Sequence, residues 1–290
     1  MDANSGAYES IHLDRLVHFE MDTYLVGAAL LLWRLRMHPE ARTTLTLDAQ
    51  RPVPPAHLEQ ACLIMRKRHA APHNGFQTIQ VSDFVGPNRD TLVTLSAWRD
   101  DAPQHLLHDF DLGHVECHPP DFQITFTCDL SFRPILQLED IVNIVSLDGV
   151  RNLSLQAAPT LYGHQYAVWD AIFHALPQFN LTWLRLDGYS AHAFIVNEDA
   201  LQGHVLPRLQ TLTLFGVPWK PHWAAGPDYR QSLARLLKSR EASDTPVSEL
   251  LVEDNDIHTM ALVGVLGQDV VHVLEPVDEM SARALAARWS

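Results

Sequence analysis

Apolar residues recur along this chain in a short phrase, hydrophobic-x-x-Leu-x-Leu. Its clearest copies are Val150-Arg-Asn-Leu153-Ser-Leu155, Leu181-Thr-Trp-Leu184-Arg-Leu186 and Leu209-Gln-Thr-Leu212-Thr-Leu214. The last two leucines of each copy stand two positions apart, so on an extended strand both side chains face the same way. That face is the expected core. Asn152, Ser154, Trp183, Arg185, Thr211 and Thr213 then point the other way, toward a surface that neighbouring copies share. On this reading substitutions at Leu184 and Leu212 are costly, and those at Arg185 and Thr213 are tolerated.

The copies begin at Val150, Leu181 and Leu209, 31 and then 28 residues apart, the length of one strand-plus-helix unit in a repeat array. Earlier phrases around Ile11, Leu45 and Ile79 are spaced by 34 residues. Helical patterns separate the strands: Asp22 to Met37, Ala56 to His69, Leu136 to Ser146, Gln165 to Leu176 and Tyr229 to Arg240. Between Asp90 and Leu138 the rhythm loosens, although Leu92 with Leu95, and then Phe122, Ile124 and Phe126, read as strands. Connections long enough to cross over imply parallel pairing. The expected fold is therefore α/β, a leucine-rich-repeat solenoid with a parallel concave sheet and helices on the convex side. It forms a single domain over residues 1–290, irregular between about 90 and 138, with a C-terminal capping helix at about 280–288.

Composition narrows the function. A hydrophobic fraction of 47% and a charged fraction of 19% describe a folded chain. Lys and Arg total 21 against 35 Asp and Glu, a formal net charge of -14, which repels a phosphate backbone and argues against nucleic acid. Three cysteines at unpatterned positions, and no signal peptide, point to an intracellular protein, cytoplasmic or nuclear. The most apolar run, Tyr24 to Trp33, is about half of the ~20 residues that a membrane-spanning helix needs, so no membrane partner is expected.

Candidate chemistry is sparse. His105, His108, His114, Cys117 and His118 crowd one stretch, and imidazole with thiolate is the donor set that zinc takes. The spacing lacks the paired pattern of structural zinc sites, so a metal-assisted hydrolase is the alternative reading, and no metal or cofactor is assigned. Gly188-Tyr-Ser190 with His192 reads as a loop rather than a nucleophile elbow. No nucleotide-cradling glycine loop is present, and no catalytic residue is assigned. The outward strand positions offer more: Trp183, Arg185 and Asp187, then Thr211, Thr213 and Phe215, then Glu249, Leu251 and Glu253. An aromatic beside an arginine is the make-up of an interface hot spot. These nine are the expected partner-binding residues on the concave face. A purely structural scaffold is the remaining alternative.

The run Leu206-Pro-Arg-Leu209-Gln-Thr-Leu212-Thr-Leu214, followed by Leu233-Ala-Arg-Leu236-Leu-Lys-Ser-Arg240, Pro246-Val-Ser-Glu-Leu250-Leu-Val252 and Val270-Val-His-Val273, resembles the leucine-rich region of fungal, especially basidiomycete, F-box proteins. The resemblance implies a non-catalytic substrate-recognition module of a ubiquitin ligase. In that family an N-terminal F-box docks a Skp-type adaptor. Here the first phrase opens near Tyr8 and no F-box is recognisable before it, so the resemblance extends to the protein-recognition region alone.

Overall fold

The computed structural model describes residues 10–38, 40–48, 60, 63–64, 75–85, 90–103, 118–129, 145, 149–157, 180–196, 206–217, 229–253 and 262–274. Strands β1 (Ile11–Leu13) and β2 (His18–Tyr24) lead into helix α1 (Leu25–Arg34), then β3 (Leu35–Met37) and β4 (Arg42–Asp48). β5 (Thr78–Val85), β6 (Asp90–Trp98), β7 (Phe122–Asp129) and β8 (Asn152–Ala157) follow, then β9 (Trp183–Gly188) and α2 (Tyr189–Val196). The rest are β10 (Thr211–Phe215), α3 (Tyr229–Ala242), β11 (Glu249–Glu253) and β12 (Val271–Leu274).

Ten strands form one sheet in the order β12-β11-β10-β9-β8-β5-β6-β7-β4-β2, and β1 pairs with β3 separately. Every pair in the large sheet is parallel except those that β6 makes with β5 and β7. The registers align one row across all ten strands, apolar except at Thr43: Phe19, Thr43, Phe122, Ala97, Ile79, Leu153, Leu184, Leu212, Leu250 and Val271. A second row, from Met21 and Leu45 through Leu155, Leu186 and Leu214 to Val252 and Val273, runs beside it. Leu184, Leu186, Leu212 and Leu250 are fully buried, and each such side chain contributes about 1.5–3 kcal/mol before chain entropy is counted.

The helices close this apolar face. Ala28, Ala29 and Leu32 of α1, Ala191, Phe194 and Ile195 of α2, and Leu233, Leu236 and Leu237 of α3 belong to one core with the strand rows. Gly188 and Gly216 sit one residue beyond the paired Asp187 and Phe215, with φ of 55° and 56°. An L side chain adopts that left-handed conformation only at a cost. Both strands therefore end on a backbone conformation that glycine suits.

The structure corrects the expected solenoid. β4 and β5 carry copies of the same phrase yet are not neighbours, because β7 and the reversed β6 lie between them. The sheet is mixed rather than wholly parallel, and three helices of eight or more residues occur among the described residues. The physical reason is that a period of two places Val93, Leu95 and Ala97 inward whichever way the strand runs. A clue to direction was present: only Gly86-Pro-Asn-Arg89 joins β5 to β6, which is too short for a parallel crossover and rich in turn formers. A second correction falls at the N-terminus. Phe19, Met21 and Thr23 alternate, so residues 18–24 join the sheet as β2, the helix begins only at Leu25, and the phrase at Ile11 pairs with β3 instead. The expected helices at Gln165 to Leu176 and 280–288, that at Leu136 to Ser146 apart from Val145, and most of that at Ala56 to His69 lie outside the described residues.

Candidate functional site

The reverse face of the sheet is polar across nearly its whole width. Glu20, Thr44, Gln123, Ser96, Gln80, Ser154, Arg185 and Thr213 stand in one register row, completed by Leu251 and His272. Burial along the row is graded. Glu20 is exposed and Thr44 and Gln123 are half-buried, whereas Ser154, Arg185 and Thr213 are fully buried. Every residue of β9 is buried, as expected for a parallel strand covered on both faces.

At the buried centre Arg185 and Asp187 form a two-point ion pair. Arg185 Nε donates to Asp187 Oδ1 at 2.9 Å and NH2 donates to Oδ2 at 2.8 Å. The guanidinium lies 5.7 Å from the centroid of the Phe215 ring, which faces Asp187 from β10. Such a fork between planar groups combines charge with a fixed geometry. Thr213 stands beside Arg185, and its Oγ1 has no hydrogen-bond partner among the described residues. On the other flank Gln156 Nε2 is 3.4 Å from Ser154 Oγ.

All nine residues expected to bind a partner lie on this one face of β9, β10 and β11, side by side. The expectation that they form an open surface meets a different arrangement. Trp183 (6% exposed), Arg185, Asp187, Thr213, Phe215 and Leu251 (8%) are buried. Thr211, Glu249 and Glu253 are half-buried. Both glutamates are held in place: Glu249 Oε2 accepts from Thr211 Oγ1 at 3.0 Å, and Glu253 Oε2 accepts from the Gly216 N–H at 3.2 Å.

Sequence reasoning missed a second polar cluster, at the ends of β5 and β8. Asn152 Nδ2 donates to Thr78 Oγ1 (3.0 Å) and to Asp101 Oδ1 (2.9 Å), and Arg151 NH1 donates to Asp101 Oδ2 (2.8 Å). Thr78 Oγ1 in turn donates to the Asp100 carbonyl at 2.8 Å. Strand alternation marks Asn152 only as an outward residue, and its partners lie 51 and 74 positions away, a distance that no local pattern encodes. Arg99 pairs with Asp121 at 3.0 Å where β6 ends and β7 begins.

Gly188-Tyr-Ser190 is not a loop: α2 starts at Tyr189, and buried Ser190 Oγ lies 2.7 Å from the Leu155 carbonyl and 2.9 Å from that of Asp187. It fastens the first turn of α2 to β8 and β9. Of the histidine-rich stretch, His105, His108, His114 and Cys117 lie outside the described residues. His118 is exposed, and its carbonyl accepts from Trp98 Nε1 at 2.9 Å. Among the described residues there is no group of three metal-ligating side chains, and no helix is long and apolar enough to cross a membrane.

Compared with known proteins, the chain matches no family model, no curated protein and no solved structure.

Proposed function

We propose that the chain is a non-catalytic protein-recognition module, comparable in role to the substrate-binding part of an F-box ubiquitin-ligase receptor, and that it reads a basic segment at the acidic margin of its polar sheet face. The observation that carries this reading is the pair Glu249 and Glu253. They occupy the same face of β11, half open to solvent, and each is fixed by a hydrogen bond from β10 or from the residue after it. Four residues along a strand span about 13 Å, so an extended ligand with cations four positions apart matches them. On the same face, two strands away on β9, the buried Arg185–Asp187 pair holds a fixed geometry. A chain of net charge -14 adds long-range attraction for a basic ligand. Trp183, being buried, supports the face rather than anchoring the ligand.

Affinity purification with the full chain and with the double variant Glu249→Gln/Glu253→Gln tests the reading. The expected result is a specific protein captured by the first and lost from the second, together with adaptor and cullin subunits for the ligase role. Identical captures from both chains would sink the acidic-margin reading. Capture of a partner without any ligase subunit would remove the ligase role alone.

A further inference from the structure

Among the described residues the large sheet ends at β2 on one side and β12 on the other, with no strand beyond either. The two reversals around β6 cancel, so β2 and β12 run in the same direction. They also present the same faces, since Phe19 and Met21 share their apolar rows with Val271 and Val273. Backbone phase follows from the ladder. The Arg42 N–H donates to the Val17 carbonyl at 2.9 Å, so the backbone groups of Val17, Phe19 and Met21 face β4 and those of His18, Glu20 and Asp22 face outward. At the other end the Leu250 N–H donates to the Val270 carbonyl at 2.7 Å. The groups of Val270 and His272 therefore face β11, and those of Val271 and Val273 face outward.

We propose that the occupant of each edge is a second copy of this chain, with β12 of one copy adding in parallel to β2 of the next. In a parallel pair a residue bonds to the neighbours on either side of its opposite number, and the two edges supply that phase. With Val271 beside Phe19 and Val273 beside Met21, the Glu20 N–H donates to the Val271 carbonyl. The Val273 N–H then donates to the Glu20 carbonyl, and the Asp22 N–H to the Val273 carbonyl. Both apolar rows continue unbroken across the junction, covering Val273, which is 44% exposed in the single chain, and the half-buried Met21. On the polar face the exposed His272 meets the exposed Glu20. Pairing like with like is worse, because β2 against β2 about a twofold axis runs antiparallel and sets Glu20 opposite either its own copy or Asp22, and like charges opposite one another are destabilising. Because each edge is used once, the contact is head-to-tail and adds copies in line.

Sedimentation equilibrium on the full chain over a wide concentration range reads this directly. The expected mass climbs above the 32.7 kDa of one chain as concentration rises. Glu20→Pro and Val273→Pro each remove an outward donor while leaving the inward ladder intact, so each variant alone stays at the mass of one chain. Mixed in equal amounts they form a species of two chains and nothing larger, because one keeps a working β12 edge and the other a working β2 edge. Should a proline unfold the chain by circular dichroism, exposed charges decide instead: His272→Glu abolishes assembly, and adding Glu20→Lys on the same chain restores it. A mass of one chain at every concentration overturns the proposal. So does a mixture that forms no two-chain species, or assembly indifferent to the charge exchange.

Discussion

Arg185 and Asp187 stand two positions apart on β9, and their side chains meet in a two-point ion pair at 2.8 and 2.9 Å, with both residues at most 1% exposed. Breaking such a pair strips a buried charge of its two-point partner, whereas removing both members together does not. Arg185→Met is therefore expected to lower stability by about 3–5 kcal/mol, and Arg185→Met/Asp187→Leu to recover most of the loss. Urea unfolding of the two variants checks it. This reverses the expectation that Arg185 tolerates substitution, because burial and not strand parity sets the cost.

Thr213 is also fully buried, and its hydroxyl has no partner among the described residues. A polar group buried without a hydrogen bond costs about 1–3 kcal/mol. Thr213→Val keeps the shape and drops the hydroxyl, so it is expected to raise the midpoint of thermal unfolding. A fall in the midpoint would mean that the hydroxyl is satisfied in solution.

The two faces can be compared within single strands. Leu184→Ala and Leu212→Ala remove fully buried side chains and are each expected to cost about 2–5 kcal/mol. Thr46→Ala, on the polar face of β4 where burial is partial, should stay within about 0.5 kcal/mol of the parent. Chemical denaturation of all three distinguishes the graded polar face from one buried uniformly.

Helix α3 ends on two unfavourable choices. Arg240 is 3% exposed, burial holds its pKa below the ordinary arginine value, and it donates from NH2 to the Leu206 carbonyl at 2.8 Å. That carbonyl also accepts from the Leu209 N–H, so Arg240→Met leaves it bonded and is expected to be neutral or to stabilise by up to ~2 kcal/mol. Exposed Asp244 follows the helix at φ 59°. Asp244→Gly is expected to stabilise by about 0.5–1 kcal/mol through relief of that left-handed backbone. Differential scanning calorimetry measures both.

The proposed acidic margin makes a kinetic prediction. Glu249→Gln/Glu253→Gln is expected to slow association with the partner at low salt and to differ little from the parent at high salt, since complementary charge chiefly raises the association rate and is screened within about 8–10 Å. Surface plasmon resonance at two ionic strengths gives the answer, and an unchanged association rate at low salt would move the ligand elsewhere.

The sequence by itself determined which residues of the repeated phrases enter the core. A step of two along an extended chain is local geometry, so Leu153 and Leu155, Leu184 and Leu186, and Leu212 and Leu214 could be placed on one face without knowing any neighbour. It also put Trp183, Thr211 and Glu249 on a common opposite face, where they lie in register. Tertiary structure alone set β7 and β6 between β4 and β5: the short Gly86–Arg89 link favours a reversed β6, but alternation is the same in both directions and names no neighbour. It likewise decided that Arg185, Asp187 and Phe215 are covered. Burial of a face depends on what packs over it from elsewhere in the chain, and the pattern within a strand carries no record of that.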